Sequence, residues 1–315
     1  MNLVTAFLRL IRWPNIVFIA LTQFLFYYAL VTPLFDRGIQ SSFDAFYFGL
    51  QVAASVLIAA AGYIINDYFD LNIDQVNKPG KLIIDKVIKR RWVIALHILM
   101  SLAGILIGLY IDLKAHTYWL AISNLLCVIL LFGYSVALKK KLLIGNLLIS
   151  LLTAWVVVVG FLCYYHTLSC NGCGEAMQDS LLRRFIKITF LYTGFAFVIS
   201  LIREVVKDME DREGDIRYNC TTMPIAWGIP ATKVFVAVWI IVLIGTLGII
   251  QFYVLQFGWW WSAAYCVLLI ILPLLWILRS LRRAQTTKDY HRLSAAVKLV
   301  MLTGILSMLF FKIYS

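Results

Sequence analysis

The chain has 315 residues, of which 62% are hydrophobic and 14% charged, with a net charge of +12 and a mean hydropathy of +0.88. That much apolar surface exceeds what a soluble core of this length can hide, so a soluble globular protein is excluded and lipid is the solvent. The positive balance would suit a nucleic acid, but it is gathered in alternate loops between apolar runs, which points to a membrane and not to nucleic acid.

At the N-terminus, Phe7, Leu8, Leu10, Ile11 and Trp13 surround Arg9 and Arg12. The pattern reads as a short interfacial helix stopped by Pro14, or as the ordinary basic flank of the first span. Nine apolar stretches follow that are long enough to cross the roughly 30 Å hydrocarbon layer. They lie near 14–34, 44–66, 92–112, 117–137, 142–165, 184–206, 231–256, 259–280 and 293–313. The first is as long as a full span and no small-residue cleavage site follows it, so it reads as a retained anchor. No linker or hydrophilic domain interrupts the pattern. The expectation is a single domain over 1–315, all-α and polytopic, with about nine transmembrane helices around a central cavity.

The second span runs into Asn66-Asp67-Tyr68-Phe69-Asp70-Leu71-Asn72-Ile73-Asp74, and the sixth into Asp208-Met209-Glu210-Asp211-Arg212-Glu213-Gly214-Asp215. Both carry D-x2-D-x3-D in a chain that otherwise avoids acids: nine of its sixteen Asp and Glu residues lie in 67–74 and 204–215. On a helix, offsets of 0, 3 and 7 residues fall within about 60° of one another, so each triad is expected to form one carboxylate face. By the same spacing Glu210 and Glu213 point off that face and read as solvated acids, and Asp85 reads as surface. Between the fifth and sixth spans Cys170 and Cys173 form a C-x2-C near His166, with no second pair to complete a zinc site. An outer-loop disulfide or two free thiols is the reading.

Lys and Arg accumulate on one side: Arg9 and Arg12, the loop from Lys78 to Arg91, Lys139-Lys140-Lys141, the segment from Arg203 to Lys233, and Arg279 to Arg292. The opposite loops hold few. The asymmetry places the N-terminus and both acid motifs on the cytoplasmic side and the C-terminus outside. Acids together with Lys78, Lys81, Arg203 and Lys207 at one mouth are what a diphosphate with its cations needs, whereas a bare cation has no use for the bases. Mg²⁺ is typically held by one or two carboxylates together with substrate phosphates. The six candidate ligands are Asp67, Asp70, Asp74, Asp208, Asp211 and Asp215. Asn66 adds a neutral oxygen, and Lys207 and Arg203 can reach diphosphate oxygens.

Asn66-Asp67-x2-Asp70-x3-Asp74 with Asn77-Lys78-Pro79, and the run Arg203-Glu204-Val205-Val206-Lys207-Asp208 through Asp215, resemble the two signatures of the UbiA superfamily of intramembrane prenyltransferases. Tyr134-Ser135, Lys139-Lys140 and Gly145-Asn146 resemble a third stretch of that family. Within it, Ile73-Asp74, Asn77-x-Pro79 and Thr222-Met223-Pro224-Ile225 are similar to the branch that prenylates geranylgeranylglycerol phosphate. The chain departs from the branch at Lys81-Leu82-Ile83-Ile84-Asp85-Lys86, where an Arg-Pro-x-Pro-Ser-Gly run is usual; Lys81 keeps the charge but not the bidentate geometry.

The resemblance implies a transferase that uses Mg²⁺, a prenyl diphosphate donor and a lipophilic acceptor within membrane lipid. It implies catalytic roles for Asp67, Asp70, Asp208, Asp211 and Lys207. Substrate binding would fall to Asn66, Lys81, Arg203, Tyr134, Lys139, Lys140 and Asn146, and Tyr63, Tyr68, Phe69 and Tyr134 offer ring faces to an allylic cation. The Lys139–Lys141 run is either a contact for an acceptor phosphate or a topology signal. An aromatic acceptor, such as a quinone precursor or haem, is the alternative within the enzyme class. Outside that class the alternative is a divalent-cation transporter.

Overall fold

In the computed structural model, which describes residues 2–35, 39–77, 83–165, 167–170 and 175–314, eight helices are long and apolar enough to cross a membrane. They are Trp13–Phe35, Ala45–Asn77, Arg90–Ala115, Ile144–Tyr165, Glu175–Glu210, Gly228–Leu255, Trp260–Arg283 and Thr287–Ile313. A ninth apolar helix, Leu120–Val136, has 17 residues, about 25 Å of rise and so at the short end of what spans. The nine are called the first to ninth spans in chain order. Only 17% of the most apolar stretch of the seventh span is buried inside the protein, an apolar surface that suits a lipid surround. The chain is an integral membrane protein.

The interfacial helix is present as Leu3–Leu10, its first turn capped by the Asn2 side chain, which accepts from Thr5 N at 2.9 Å. Arg12, left-handed at φ 51°, breaks it from the first span, whose start at Trp13-Pro14 suits a proline because no intrahelical donor is needed there.

Two spans carry a π-helical turn two residues before a proline: Tyr27–Val31 ahead of Pro33, and Val267–Ile271 ahead of Pro273. Pro273 cannot bond the carbonyl of Leu269. Thr303 of the ninth span donates its hydroxyl to that oxygen at 2.9 Å, satisfying a group that lipid would leave bare.

The second, third and fourth spans pack closely through Gly104 and Gly108, one turn apart. A side chain at Gly104 would come within 2.6 Å of Ile58, and one at Gly108 within 2.6 Å of Asn124. Asn124 takes up the space by donating to Gly104 O at 3.0 Å. At the far end of this hairpin Asp112 gathers the Thr117 hydroxyl and the amides of Trp119, Leu120 and Ala121, capping the fourth span. On the same side strands β1 (Ile39–Ser41) and β2 (Leu168–Cys170) pair antiparallel, Gln40 opposite Ser169. Cys173 and His166 lie outside the described residues, as does the Cys170 side chain. Two larger apolar clusters stabilise the bundle, one among the sixth to ninth spans and one among the first to sixth with Met308 of the ninth.

Candidate active site

The second span stays helical to Asn77, three turns beyond its apolar run, and so carries its acid motif as one continuous helix. The face it turns to the mouth is Asn66, Asp70, Ile73, Asp74 and Asn77. Asp67 sits a step round the helix and is turned to Arg12, with Arg12 Nη2 2.6 Å from its Oδ1. The expected 67/70/74 face is therefore a 66/70/74 face, with positions four apart stacked on successive turns. Asn66 Nδ2 donates to Asp70 at 2.8 Å, and Lys139 Nζ is in direct contact with the other oxygen of Asp70.

The second triad does not lie on one helix. The sixth span ends at Glu210, Asp211 leaves helical geometry, and a separate turn, Arg212–Arg217, carries Asp215. Asn77 makes the break: its Nδ2 donates to Asp211 O at 3.0 Å and its Oδ1 accepts from Gly214 N at 2.8 Å. Only a glycine leaves room, since a Cβ at Gly214 would stand 2.5 Å from the Asn77 amide. One side chain of the first motif thus shapes the backbone of the second. All three acids of the second motif still face the mouth. Asp208 accepts from Asn146 Nδ2 at 2.7 Å and Asp215 from the Thr222 hydroxyl at 3.4 Å. Glu210, expected to be solvated, bonds His291 at 2.8 Å, drawn there by the packing of the ninth span on the sixth. Asp85 is exposed and pairs with Arg90.

The mouth is polar, with an empty volume of ≈ 620 Å³, lined by Asp70, Asp74, Glu204, Asp208, Asp211 and Asp215 among Arg12, Lys139, Lys140 and Lys207. Burial, then the charges of Asp211 and Asp70, push the Asp215 carboxyl up to about 6, so these carboxylates repel one another and call for a cation. Burial lowers the Lys139 ammonium, against the pull of Asp70. Thr221 donates its amide and hydroxyl to Lys140 O at 2.7 and 2.9 Å, tying the lysine turn to the segment after the second motif.

Among the described residues no three acids are gathered tightly enough to hold an ion alone. That fits Mg²⁺, which takes one or two carboxylates and completes its shell with water and phosphate oxygens. Asn66 Oδ1 is buried without a hydrogen-bond partner at this mouth, an oxygen free to serve as ligand. The residues present fit the metal.

A second cavity, with an empty volume of ≈ 1390 Å³, opens behind the mouth and runs among the spans. Phe18, Ile19, Ile58, Ala59, Leu131 and Val156 make its walls apolar, and Gln51, Asn124 and Trp155 close its deep end. From Asn66 to Gln51 along the second span is about 22 Å at helical rise. Arg12, Asn66, Tyr134, Glu204 and Lys207 line both cavities. They are the boundary between a polar head site and an apolar tail site.

Of the residues expected from sequence, Asn66, Asp70, Asp74, Tyr134, Lys139, Lys140, Lys207, Asp208, Asp211 and Asp215 line the mouth, and Arg203 lines the chamber. Asn146 acts on the site through Asp208, and Lys81 lies outside the described residues. Tyr63 lines the chamber, with the Arg12 guanidinium 5.2 Å from its ring centre. Tyr68 and Phe69 pack on each other, and Phe69 on Phe132. Sequence reasoning assigned no site role to Arg12, Asn15, Asn77, Glu204 or Lys298, although Asn77 and Glu204 stand within the two motifs. Lys298 carried a signal, being a lone charge inside an apolar run.

A polar mouth beside an apolar chamber, within a bundle of apolar helices, has room for a molecule with a charged head and an apolar tail. The model of the UbiA prenyltransferase family matches residues 38–306, and the chain belongs to that family; it is an integral-membrane prenyltransferase. The digeranylgeranylglyceryl phosphate synthase of Methanothermobacter thermautotrophicus is 30% identical over 303 residues, 94% of this chain and 92% of that one. A solved digeranylgeranylglyceryl phosphate synthase shares the fold with a TM-score of 0.62 at 22% identity, covering 98% of this chain and 99% of its own. A UbiA homologue from Archaeoglobus fulgidus, solved with GPP and Mg²⁺, aligns with a TM-score of 0.56 at 12% identity over 96% of this chain and 99% of its own.

Proposed function

We propose that the protein transfers a prenyl group from a prenyl diphosphate to the hydroxyl of a prenylated glycerol phosphate, with Mg²⁺ at the acid mouth. The observation that carries this reading is the pair of cavities sharing one wall: a diphosphate fits the mouth, its chain fits the chamber, and the bond between them falls at Asn66, Tyr134, Glu204 and Lys207. The similarity to digeranylgeranylglyceryl phosphate synthases supports the choice of acceptor. Asp70, Asp74, Asp208, Asp211 and Asp215, with Asn66, would hold the metal. Bound there, it would neutralise the charge that develops on the leaving diphosphate.

The chain's own groups do the rest. Lys207 and Lys139 add positive charge to the departing diphosphate. Asn146 orients Asp208, and Asn77 fixes the spacing of the two motifs. The apolar chamber keeps water from an allylic cation, whose positive charge the ring faces of Tyr134 and Tyr63 stabilise. The acceptor oxygen then bonds to C1 and its proton leaves with the diphosphate. Asp67, held by Arg12, sets the position of that guanidinium at the boundary. The positive-inside pattern orients the mouth and the N-terminus to the cytoplasm of a prokaryotic cell membrane.

The test is purified membranes given labelled prenyl diphosphate with each acceptor in turn. Labelled ether lipid from the glycerol phosphate acceptor supports the reading, and preferential prenylation of an aromatic acceptor replaces it. Bare cations meet Arg12, Lys139, Lys140 and Lys207 at the same mouth, which disfavours a transport pathway.

A further inference from the structure

Between Leu293 and Phe311 the ninth span holds a single charged residue, Lys298. It lines the apolar chamber and not the acid mouth. Its Nζ donates to Asn15 Oδ1 at 2.7 Å and lies 5.1 Å from the Phe18 ring centre. Among the described residues it has no carboxylate within ion-pair distance, whereas Arg12 is paired with Asp67 and Arg203 with Glu204 at 2.5 Å. The chamber wall carries four cations, Arg12, Arg203, Lys207 and Lys298; Arg12 and Arg203 have their carboxylates and Lys207 also faces the acid mouth, which leaves Lys298. An uncompensated ammonium within a span is costly, and is by default a functional group that awaits its counter-ion.

The donor's diphosphate does not answer this charge, because the acid mouth and its lysines account for it. Lys139, which the sequence offered to the acceptor, lines the acid mouth and not the chamber. A second anion has to enter the chamber itself, and it has to be attached to something apolar. We infer that Lys298, with Asn15 and Arg203 beside it, binds the phosphate of the acceptor lipid, and so selects a phosphomonoester over an uncharged acceptor. This rests on the acceptor proposed above. Placed there, the phosphate is held by the first, sixth and ninth spans. The glycerol hydroxyl is then directed toward the boundary formed by Asn66, Tyr134 and Lys207, where C1 of the donor would lie.

The experiment uses the full chain in detergent, with geranylgeranyl diphosphate as donor and either geranylgeranylglycerol phosphate or geranylgeranylglycerol as acceptor. Lys298→Gln is expected to raise the KM for the phosphate-bearing acceptor by about tenfold to a hundredfold, the scale of one lost charge-assisted hydrogen bond. The KM for the phosphate-free acceptor and for the donor should stay in place, and Lys298→Arg should restore most of the loss. Should Lys298→Gln fail to fold, as read by its melting temperature, Lys298→Met carries the same comparison. An unchanged KM for the phosphate-bearing acceptor, or an equal rise for both acceptors, overturns the site while leaving the proposed reaction standing. Wild-type protein that ignores geranylgeranylglycerol phosphate and prenylates an aromatic acceptor overturns the reaction, and the site with it.

Discussion

The two acid motifs share a spacing but not an environment. In the first, on an unbroken helix, Asp67 is taken by Arg12 and Asp70 by Lys139. In the second, split by the Asn77 amide, Asp208 has Asn146 and Asp215 has Thr222, both neutral partners. Ion pairs with Arg12 and Lys139 offset the charges of Asp67 and Asp70, whereas the neutral hydrogen bonds of Asp208 and Asp215 leave those two charges for an incoming cation. The second motif is therefore expected to bind the metal more tightly, and the first to respond to the leaving group through Lys139.

That contrast can be broken at several points. The largest effect is expected from removing the metal: EDTA should take labelled-donor turnover to background and Mg²⁺ should restore it, because the four bases described at the mouth do not offset its six carboxylates and a diphosphate together. Full activity in EDTA ends the metal reading. Next, Asp208→Asn should lower kcat by about a hundredfold to a thousandfold, the range for removing one group that stabilises developing charge. Turnover near wild type, in protein that melts normally, would strike the second motif from the site. Asn146→Ala should raise the Mg²⁺ concentration for half-maximal rate by about tenfold to a hundredfold, as for lost outer-shell partners, and an unchanged titration would deny Asn146 its positioning role.

Asp67→Asn sharpens the comparison most. With its carboxylate on Arg12 rather than in the mouth, it should cost clearly less than Asp208→Asn in the same assay. An equal loss would mean that Asp67 turns into the mouth when substrate binds. The smallest effect on activity should come from Asp112→Ala, at the opposite end of the bundle. That acid caps the fourth span, so its loss should cost about 1–3 kcal/mol of stability, seen as a lower melting temperature with an unaltered Mg²⁺ titration.

The nine spans, the side on which the bases gather and the two acid clusters were legible because each is a local property: a run of apolar residues, a count of charges, a repeat of carboxylates. The helix face of each motif was less so. Asp67 and Asp70 differ by three residues and Asn66 and Asp70 by four, and only contact with Arg12 decides which set meets the mouth. The expectation that the second triad shared one helix failed because Asn77, 134 residues before Asp211, competes for its backbone bonds. Glu210 read as solvated for a similar reason, its partner His291 being on the ninth span.

By itself the sequence determined the solvent, the number of spans and the chemical type of the site, since a chain so poor in acids tolerates two such clusters only where cations meet them. The tertiary structure decided which side chains share a cavity. The division between a polar mouth and an apolar chamber, the pairing of Arg12 with Asp67, and the presence of Lys298 among residues of the first and sixth spans all come from helices brought together across the bundle. No local spacing encodes these contacts, because the packing that creates them joins residues far apart in the chain, 55 positions for Arg12 and Asp67 and 283 for Asn15 and Lys298.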